Sequence, residues 1–316
     1  MEKHAKIYVA GGQTTFIGTT ILRLLEQWGY PNTIGRPGEE PDLTRGPEVD
    51  AFFAGHLPEY VFLTAGQSGG IGANQKYPAE LMRHNLLVEC QVIHSAFRYG
   101  VKKLLYLASS CSYPRHCPQP MQVTALLTGP LEPTNEAYAL AKIAGIKLCQ
   151  AYRQQYGVNF ISGIPANAFG PGDDFSVENS HVIAALIRKM HEAHVNGLDS
   201  IEIWGTGTPR REFIFVDDLA EACVLVMDKY NDLEPINLGS GMDLSIRELA
   251  EVIKAIVGYH GQLGFDTSKP DGMPLKILDS GKLRELGWQS RWTIRDALGI
   301  TYQWFREHTA NENGSC

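Results

Sequence analysis

Four short apolar runs, Lys6–Ala10, Tyr60–Thr64, Lys103–Ala108 and Asn159–Ile164, recur through the first half of the chain. Helical spacing of apolar residues between and beside them predicts helices over Phe16–Trp28, Pro78–Phe97 and Asn135–Tyr156, with a further short strand at Asn32–Ile34. Strands that are apolar throughout, rather than at alternate residues, must be covered on both faces. Helices alternating with such strands specify an α/β fold, a doubly wound parallel sheet of the Rossmann type. Beyond Pro165 the rhythm loosens. A loop rich in Gly, Pro and Asp (Gly170–Asp174) precedes a helix near His181–His194, and segments at Ile201–Trp204, Glu212–Val216, Ser245–Val257 and Ile294–His308 follow without strict alternation. The reading is a nucleotide-binding domain at 1–166 with return segments at about 213–240, and a smaller C-terminal substrate-binding lobe at 167–212 and 241–316. Ligands in such folds bind beyond the C-terminal ends of the strands, where residues 11–18, 64–74, 109–114 and 165–172 are expected to converge.

Composition narrows the partners. The formal net charge is −7 and no basic run occurs, which argues against nucleic acid and anionic membranes. An anionic small ligand stays compatible, since local arginines can oppose the overall sign. No apolar stretch approaches a membrane span and Met1–Lys6 holds no signal-peptide core, so a cytoplasmic protein is expected. The cysteines at 90, 111, 117, 149, 223 and 316 lack paired spacing and read as free thiols. Cys117, His191 and His194 show no ligand spacing, and no metal is expected.

The turn after the first strand reads Gly11-Gly12-Gln13-Thr14-Thr15-Phe16-Ile17-Gly18, where a glycine-rich loop would cradle the phosphates of a dinucleotide. Gly12 and Gly18 keep the G-x-x-G-x-x-G spacing, while Thr15 stands at its middle glycine. After the second strand, Gly35-Arg36 offers a guanidinium where NAD enzymes usually present a carboxylate, which suits the 2′-phosphate of NADP.

Ser109 and the run Tyr138-Ala-Leu-Ala-Lys142 carry the chemistry. Tyr138 and Lys142 share one helix face, and an ammonium beside a phenol favours the phenolate. A serine hydroxyl nearby would hold a carbonyl while the phenol delivers a proton to it. This equips a carbonyl reductase that takes hydride from a nicotinamide. With 13 tyrosines in 316 residues the spacing alone is weak, and Tyr99…Lys103 repeats it. There Gly100 marks a helix end and Lys103 opens a strand, so those two side chains share no helical face.

Longer runs then single out a family: Ser109-Ser-Cys-Ser-Tyr-Pro114, Leu131–Cys149 around Tyr138, Asn179-Ser-His-Val-Ile183, Trp204–Phe213 and Lys269–Lys276. In these the chain resembles the GDP-L-fucose synthases (GDP-4-keto-6-deoxy-D-mannose 3,5-epimerase-4-reductases) of the extended short-chain dehydrogenase/reductase family, nearly end to end. The resemblance implies Ser109, Tyr138 and Lys142 as a reductase triad, and Cys111 with His181 as an epimerase acid/base pair. It places the GDP-sugar at Asn167, Lys189, Trp204, Arg211 and Lys276, and implies a homodimer. With the loop residues, the NADP-binding candidates become Gly12, Thr14, Thr15, Phe16, Ile17, Gly18, Arg36, Lys142, Pro165, Asn167 and His181.

The implied pair makes chemical sense. A 4-keto group acidifies the C–H bonds at C3 and C5, so a base can remove a proton and a second group return one from the opposite face. Cysteine and histidine titrate near enough to neutrality for this. The hydrogen bonds that assist reduction would also stabilise the enolate oxygen. The implied activity is NADPH-dependent 3,5-epimerisation and 4-keto reduction of GDP-4-keto-6-deoxy-mannose to GDP-L-fucose. Thr14 and Thr15 depart from the family's Arg and Gly, and Leu275 from a basic residue that often precedes the lysine at 276. These departures keep open a 4-reductase, with or without epimerase activity, for another GDP-4-keto-deoxy sugar. A non-catalytic NADP-binding sensor is the alternative from a different class. Retention of Ser109, Tyr138 and Lys142 argues against it, because a sensor has no need of a proton donor.

Overall fold

The structure, a computed structural model, describes residues 1–309; Cys316 lies outside the described residues. Along the chain the strands are β1 (Ile7–Ala10), β2 (Thr33–Ile34), β3 (Tyr60–Leu63), β4 (Lys103–Leu107), β5 (Asn159–Pro165), β6 (Asn167–Phe169), β7 (Ser200–Trp204), β8 (Arg210–Phe215), β9 (Ile236–Leu238), β10 (Asp243–Ser245), β11 (Gln262–Asp266) and β12 (Leu275–Lys276). The helices are α1 (Phe16–Gln27), α2 (Gly46–His56), α3 (Ile71–Lys76), α4 (Pro78–Arg98), α5 (Glu136–Tyr156), α6 (Val182–Val195), α7 (Val216–Lys229), α8 (Ile246–Val257), α9 (Gly281–Glu285) and α10 (Ile294–Thr309).

The apolar runs form the centre of a six-stranded parallel sheet of order β2-β1-β3-β4-β5-β9. Every residue of β1 and β4 is buried, as strands covered on both faces require. The strand order reverses direction beside β1, which opens a crevice between the loops after β1 and β3. Close approach at this point demands glycine. A Cβ on Gly18 would lie 2.3 Å from the Gly11 oxygen, and Gly11 itself has φ +90°.

Helices α2, α3 and the five-residue α9 lack an evident sequence signal. Helix α2 begins Gly46-Pro47, carries Gly55 in its last turn and buries only Val49, Phe52 and Phe53, too short a stripe to stand out. Helix α3 is six residues long.

The return segments need correction. Strand β9 completes the main sheet and α7 packs on α1, but residues 213–215 belong to β8. That strand centres a second sheet of order β10-β8-β12, with β6 paired alongside. Alternation lets β8 serve two cores: Ile214 faces the main one, while Phe213 and Phe215 face the second, built largely from α6, α8, α10 and β7. The stretch 273–288, read from sequence as part of the C-terminal lobe, places Met273, Leu278, Leu283 and Trp288 in the main core instead. Among the described residues no helix is long and apolar enough to cross a membrane.

Candidate active site

A cleft of about 470 Å³ opens at the C-terminal ends of the main-sheet strands. Of the residues singled out above, Thr14, Thr15, Phe16, Ile17, Tyr138, Lys142, Pro165 and His181 line it. Gly12 lies behind the wall, where an added Cβ would meet the Gly35 oxygen at 2.5 Å.

Thr15, at the position of the missing glycine, caps α1. Its Oγ1 accepts from the Gly18 amide at 3.0 Å and donates to the Gly11 carbonyl at 2.9 Å. The amides of Phe16 and Ile17 then begin a helix with no preceding turn to bond and no acidic residue in the first turn. This positive end, lining the cleft, fits a dinucleotide diphosphate. Arg36 is turned aside: its Nη2 lies 2.9 Å from Glu26 Oε1. Glu40, which no motif marks, reaches back from the loop after β2 to accept from the Gly11 amide and the Tyr8 hydroxyl, both at 2.7 Å.

Strand β4 runs out at Leu107 into a single 3-10 turn, Ser110–Ser112, capped by Ser109, whose Oγ accepts from the Cys111 amide at 3.2 Å. Asn135, the N-cap residue of α5, donates through Nδ2 to Cys111 Sγ at 3.2 Å, and Lys276 Nζ donates to the same sulfur at 3.3 Å. Lys276 arrives there because β12 runs parallel to β8 with Lys276 opposite Arg211. Burial alone would push the thiol up, but Lys276, Ser109 and Arg211 outweigh it and hold Cys111 below its ordinary 9.0. His181 stands at the start of α6, with Nε2 3.4 Å from Ser68 Oγ. Burial and then Lys276 lower it from 6.5, so it is uncharged near neutral pH.

The Tyr138–Lys142 pair departs from its sequence reading. Lys142 Nζ is 3.2 Å from Glu89 of α4, and both side chains are buried. Lys142 also donates to the Leu107 carbonyl at 3.4 Å. Burial, then Cys111 and Glu89, raise Tyr138 above its ordinary 10.0, with Ser109 opposing them through a hydrogen bond. The phenol is thus held protonated, not drawn toward the phenolate. Sequence reasoning missed Glu89. The available signal was a carboxylate on the buried stripe of α4, among Leu81, Asn85, Val88, Val92 and Ala96.

The remaining candidates fall into two groups. Asn167 lies opposite Phe213, and Lys276 opposite Arg211, so β8 brings those three together. Asn167 donates to the Glu212 carbonyl at 2.8 Å, and Arg211 donates to the Arg210 and Asp271 carbonyls at 2.9 and 3.1 Å. Lys189 joins the middle of β7 by donating to the Glu202 carbonyl at 2.6 Å. Trp204, at the end of β7, is 51% exposed with Lys269 Nζ 5.4 Å from its ring centre, an open aromatic face. Leu275 lines a separate shallow pocket with Arg115, His116 and Cys117. Among the described residues no three His, Cys, Asp or Glu side chains gather as a metal site.

A parallel nucleotide fold with serine, tyrosine and lysine at its strand ends defines a class of oxidoreductase. Residues 7–239 match the NAD dependent epimerase/dehydratase family, and the chain belongs to that family. It is similar to GDP-L-fucose synthase 1 of Arabidopsis thaliana, with 52% identity over 98% of this chain and 96% of the relative. Among solved structures it resembles a GDP-6-OMe-4-keto-L-xylo-heptose reductase from C. jejuni, with a TM-score of 0.91, 34% identity and coverage of 98% and 99% of the two chains. A GDP-L-fucose synthetase from Naegleria fowleri bound to NADP matches with a TM-score of 0.90, 28% identity and coverage of 98% and 95%.

Proposed function

We propose that this chain converts GDP-4-keto-6-deoxy-mannose to GDP-L-fucose, inverting C3 and C5 and then reducing C4 at the expense of NADPH. The observation that carries this reading is Cys111: a thiol two residues from Ser109, held by Asn135 and Lys276 and made more acidic than an ordinary cysteine. A pure reductase has no use for such a base.

When bound, NADPH supplies the hydride. The residues that would hold it are Gly12, Thr14, Thr15, Phe16, Ile17 and Gly18 at the diphosphate, with Arg36 leaving its exposed pairing with Glu26 to reach the ribose phosphate. Lys142, Pro165, Asn167 and His181 would complete its site. Asn167, Lys189, Trp204, Arg211 and Lys276 hold the GDP-sugar, and the Arg211 guanidinium suits paired oxygens. Ser109 and Tyr138 donate to the 4-keto oxygen. Cys111, as thiolate, removes the proton at C3 or C5; Ser109 and Tyr138 stabilise the enolate, and His181, after taking up a proton from solvent, gives it to the opposite face, Cys111 releasing its own proton to solvent before the second inversion. With both centres inverted, Tyr138 gives its proton to the C4 oxygen as hydride arrives at carbon.

Likeness to the heptose reductase, together with Leu275, favours one second reading, a C4 reductase for another GDP-4-keto sugar. The deciding experiment mixes the protein with GDP-4-keto-6-deoxy-mannose and NADPH in D2O and follows the product by NMR. Deuterium at C3 and C5 with NADPH consumption is expected. Consumption without deuterium uptake establishes the reductase reading in its place. A homodimer, which the family resemblance implies, is also proposed; sedimentation equilibrium tests it.

A further inference from the structure

In this fold the adenosine ribose of a dinucleotide lies at the end of β2, beside the glycine loop. The structure ties that strand end closely to the loop. A Cβ on Gly12 would meet the Gly35 oxygen at 2.5 Å, and Gly35 itself has φ +117°. The Gly38 amide donates to Gln13 Oε1 of the glycine loop at 2.8 Å, and Glu40 accepts from the Gly11 amide at 2.7 Å. Between these ties the chain doubles back, the Glu39 amide donating to the Arg36 carbonyl at 3.0 Å. The turn carries the Glu39 side chain onto the strand end, where its Oε2 accepts from the Gly35 and Arg36 amides, each at 3.0 Å.

Two successive amides aimed at one acceptor make a small anion-binding nest. The 2′-phosphate of NADPH at this place would draw on those amides and on the Arg36 guanidinium. Both are already engaged within the chain. Arg36 grips Glu26 Oε1 through Nε at 3.1 Å and Nη2 at 2.9 Å, and Thr14 adds no charge to the loop. Glu26, Glu39 and Glu40 therefore bring three carboxylates to the strand end that Arg36 serves. A phosphate with a charge of roughly −1.5 to −2 must displace Glu39 from the nest or bind against it. A ribose 2′-hydroxyl meets no such obstacle. Glu39 Oε1 has no donor among the described residues and can accept from that hydroxyl, as the carboxylate at this place does in NAD enzymes.

We infer that Glu39 is a selectivity residue of the cofactor site: seated in the amide nest at the end of β2, it opposes the 2′-phosphate of NADPH and accepts from the 2′-hydroxyl of NADH, so that the chain binds NADH as a second hydride source. The sequence places a guanidinium where NAD enzymes present a carboxylate; the turn returns a carboxylate to the same place from three residues further on. Glu39 is exposed, so water screens its effect and the discrimination stays modest. The inference rests on the dinucleotide site and not on the sugar proposed for it.

The test measures binding by the full-length protein with no sugar present. NADPH and NADH are titrated by nicotinamide fluorescence, and 2′,5′-ADP and 5′-AMP, which differ only in the 2′-phosphate, by calorimetry. In the wild type each pair is expected to bind within about tenfold of one another. Glu39→Gln keeps an acceptor for the two amides and removes the charge, so the preference for NADPH and for 2′,5′-ADP should widen about three- to tenfold. Glu26→Gln frees Arg36 but leaves the nest filled, and should widen the preference less. An unmoved preference in Glu39→Gln overturns the role of Glu39. So does a wild-type preference for NADPH of a hundredfold or more, or a larger widening in Glu26→Gln, which would place the selectivity in the ion pair. Coenzyme binding that follows these expectations in a protein that fails to turn over the GDP-sugar overturns the substrate assignment and leaves the Glu39 role standing.

Discussion

Lys142 and Lys276 are both nearly buried beside the same short turn, yet their surroundings set them to opposite tasks. Lys142 meets Glu89, a carboxyl that burial raises and the ammonium and Tyr106 pull back toward the ionised form, and the two charges pair in place. Lys276 meets Cys111, whose ordinary value is 9.0, and holds the thiol below it. One ammonium is therefore matched by a carboxylate, while the other makes a thiol two residues from Ser109 more acidic. What a buried lysine does to a site depends on the acidity of its nearest partner, not on its own charge.

Four substitutions probe this contrast. The largest effect belongs to Tyr138→Phe, which removes the proposed proton donor to the C4 oxygen. Single-turnover NADPH oxidation should fall by about 10²–10⁴-fold. Alkylation of Cys111 should continue, and its loss would show that the two sides are not separable. Cys111→Ser comes next. Deuterium exchange at C3 and C5 should drop by about a hundredfold or more, while reduction of an already epimerised substrate is largely retained. Equal loss of both would end the division of labour.

Lys276→Met acts on the acidity of the thiol. With the ammonium gone, burial is opposed by Ser109, Arg211 and the Asn135 amide, so the Cys111 transition moves up. Its thiolate forms as pH rises, so iodoacetamide labelling at neutral pH should slow about tenfold if that transition climbs by about one pH unit. Mass spectrometry of the Cys111 peptide separates it from the exposed Cys90. An unchanged labelling profile would mean that Lys276 serves only the GDP-sugar. Asn135→Ala is expected to give the smallest effect, a few-fold in the same labelling rate, because a neutral amide stabilises the thiolate less than a charge does. A larger loss than with Lys276→Met would invert the ranking.

Much of the site was legible because it is local. Tyr138 and Lys142 lie one helical turn apart, Ser109 and Cys111 share a 3-10 turn at a strand end, and the Thr14–Gly18 loop opens a helix. Thr15 reads as a departure from a glycine pattern, but its oxygen caps α1, a local rule that the glycine template hid. The apolar runs were equally informative about the sheet, since strands buried on both faces have little else to be. The assignment of β8 went astray for a related reason. An alternating strand can serve either of two cores, and nothing in its own residues says which.

Composition and short-range spacing thus determined the doubly wound sheet, its glycine loop and the serine–tyrosine–lysine arrangement, because periodicity and turn chemistry act within a few residues. Tertiary packing decided the electrostatics. Glu89 reaches Lys142 from another helix, Lys276 reaches Cys111 through the pairing of β12 with β8, and Glu40 reaches the Gly11 amide from the loop after β2. Each of these contacts joins segments far apart in the chain, where no periodicity links them. Desolvation, which sets the direction in which Tyr138 and His181 move, exists only once the core has closed around them.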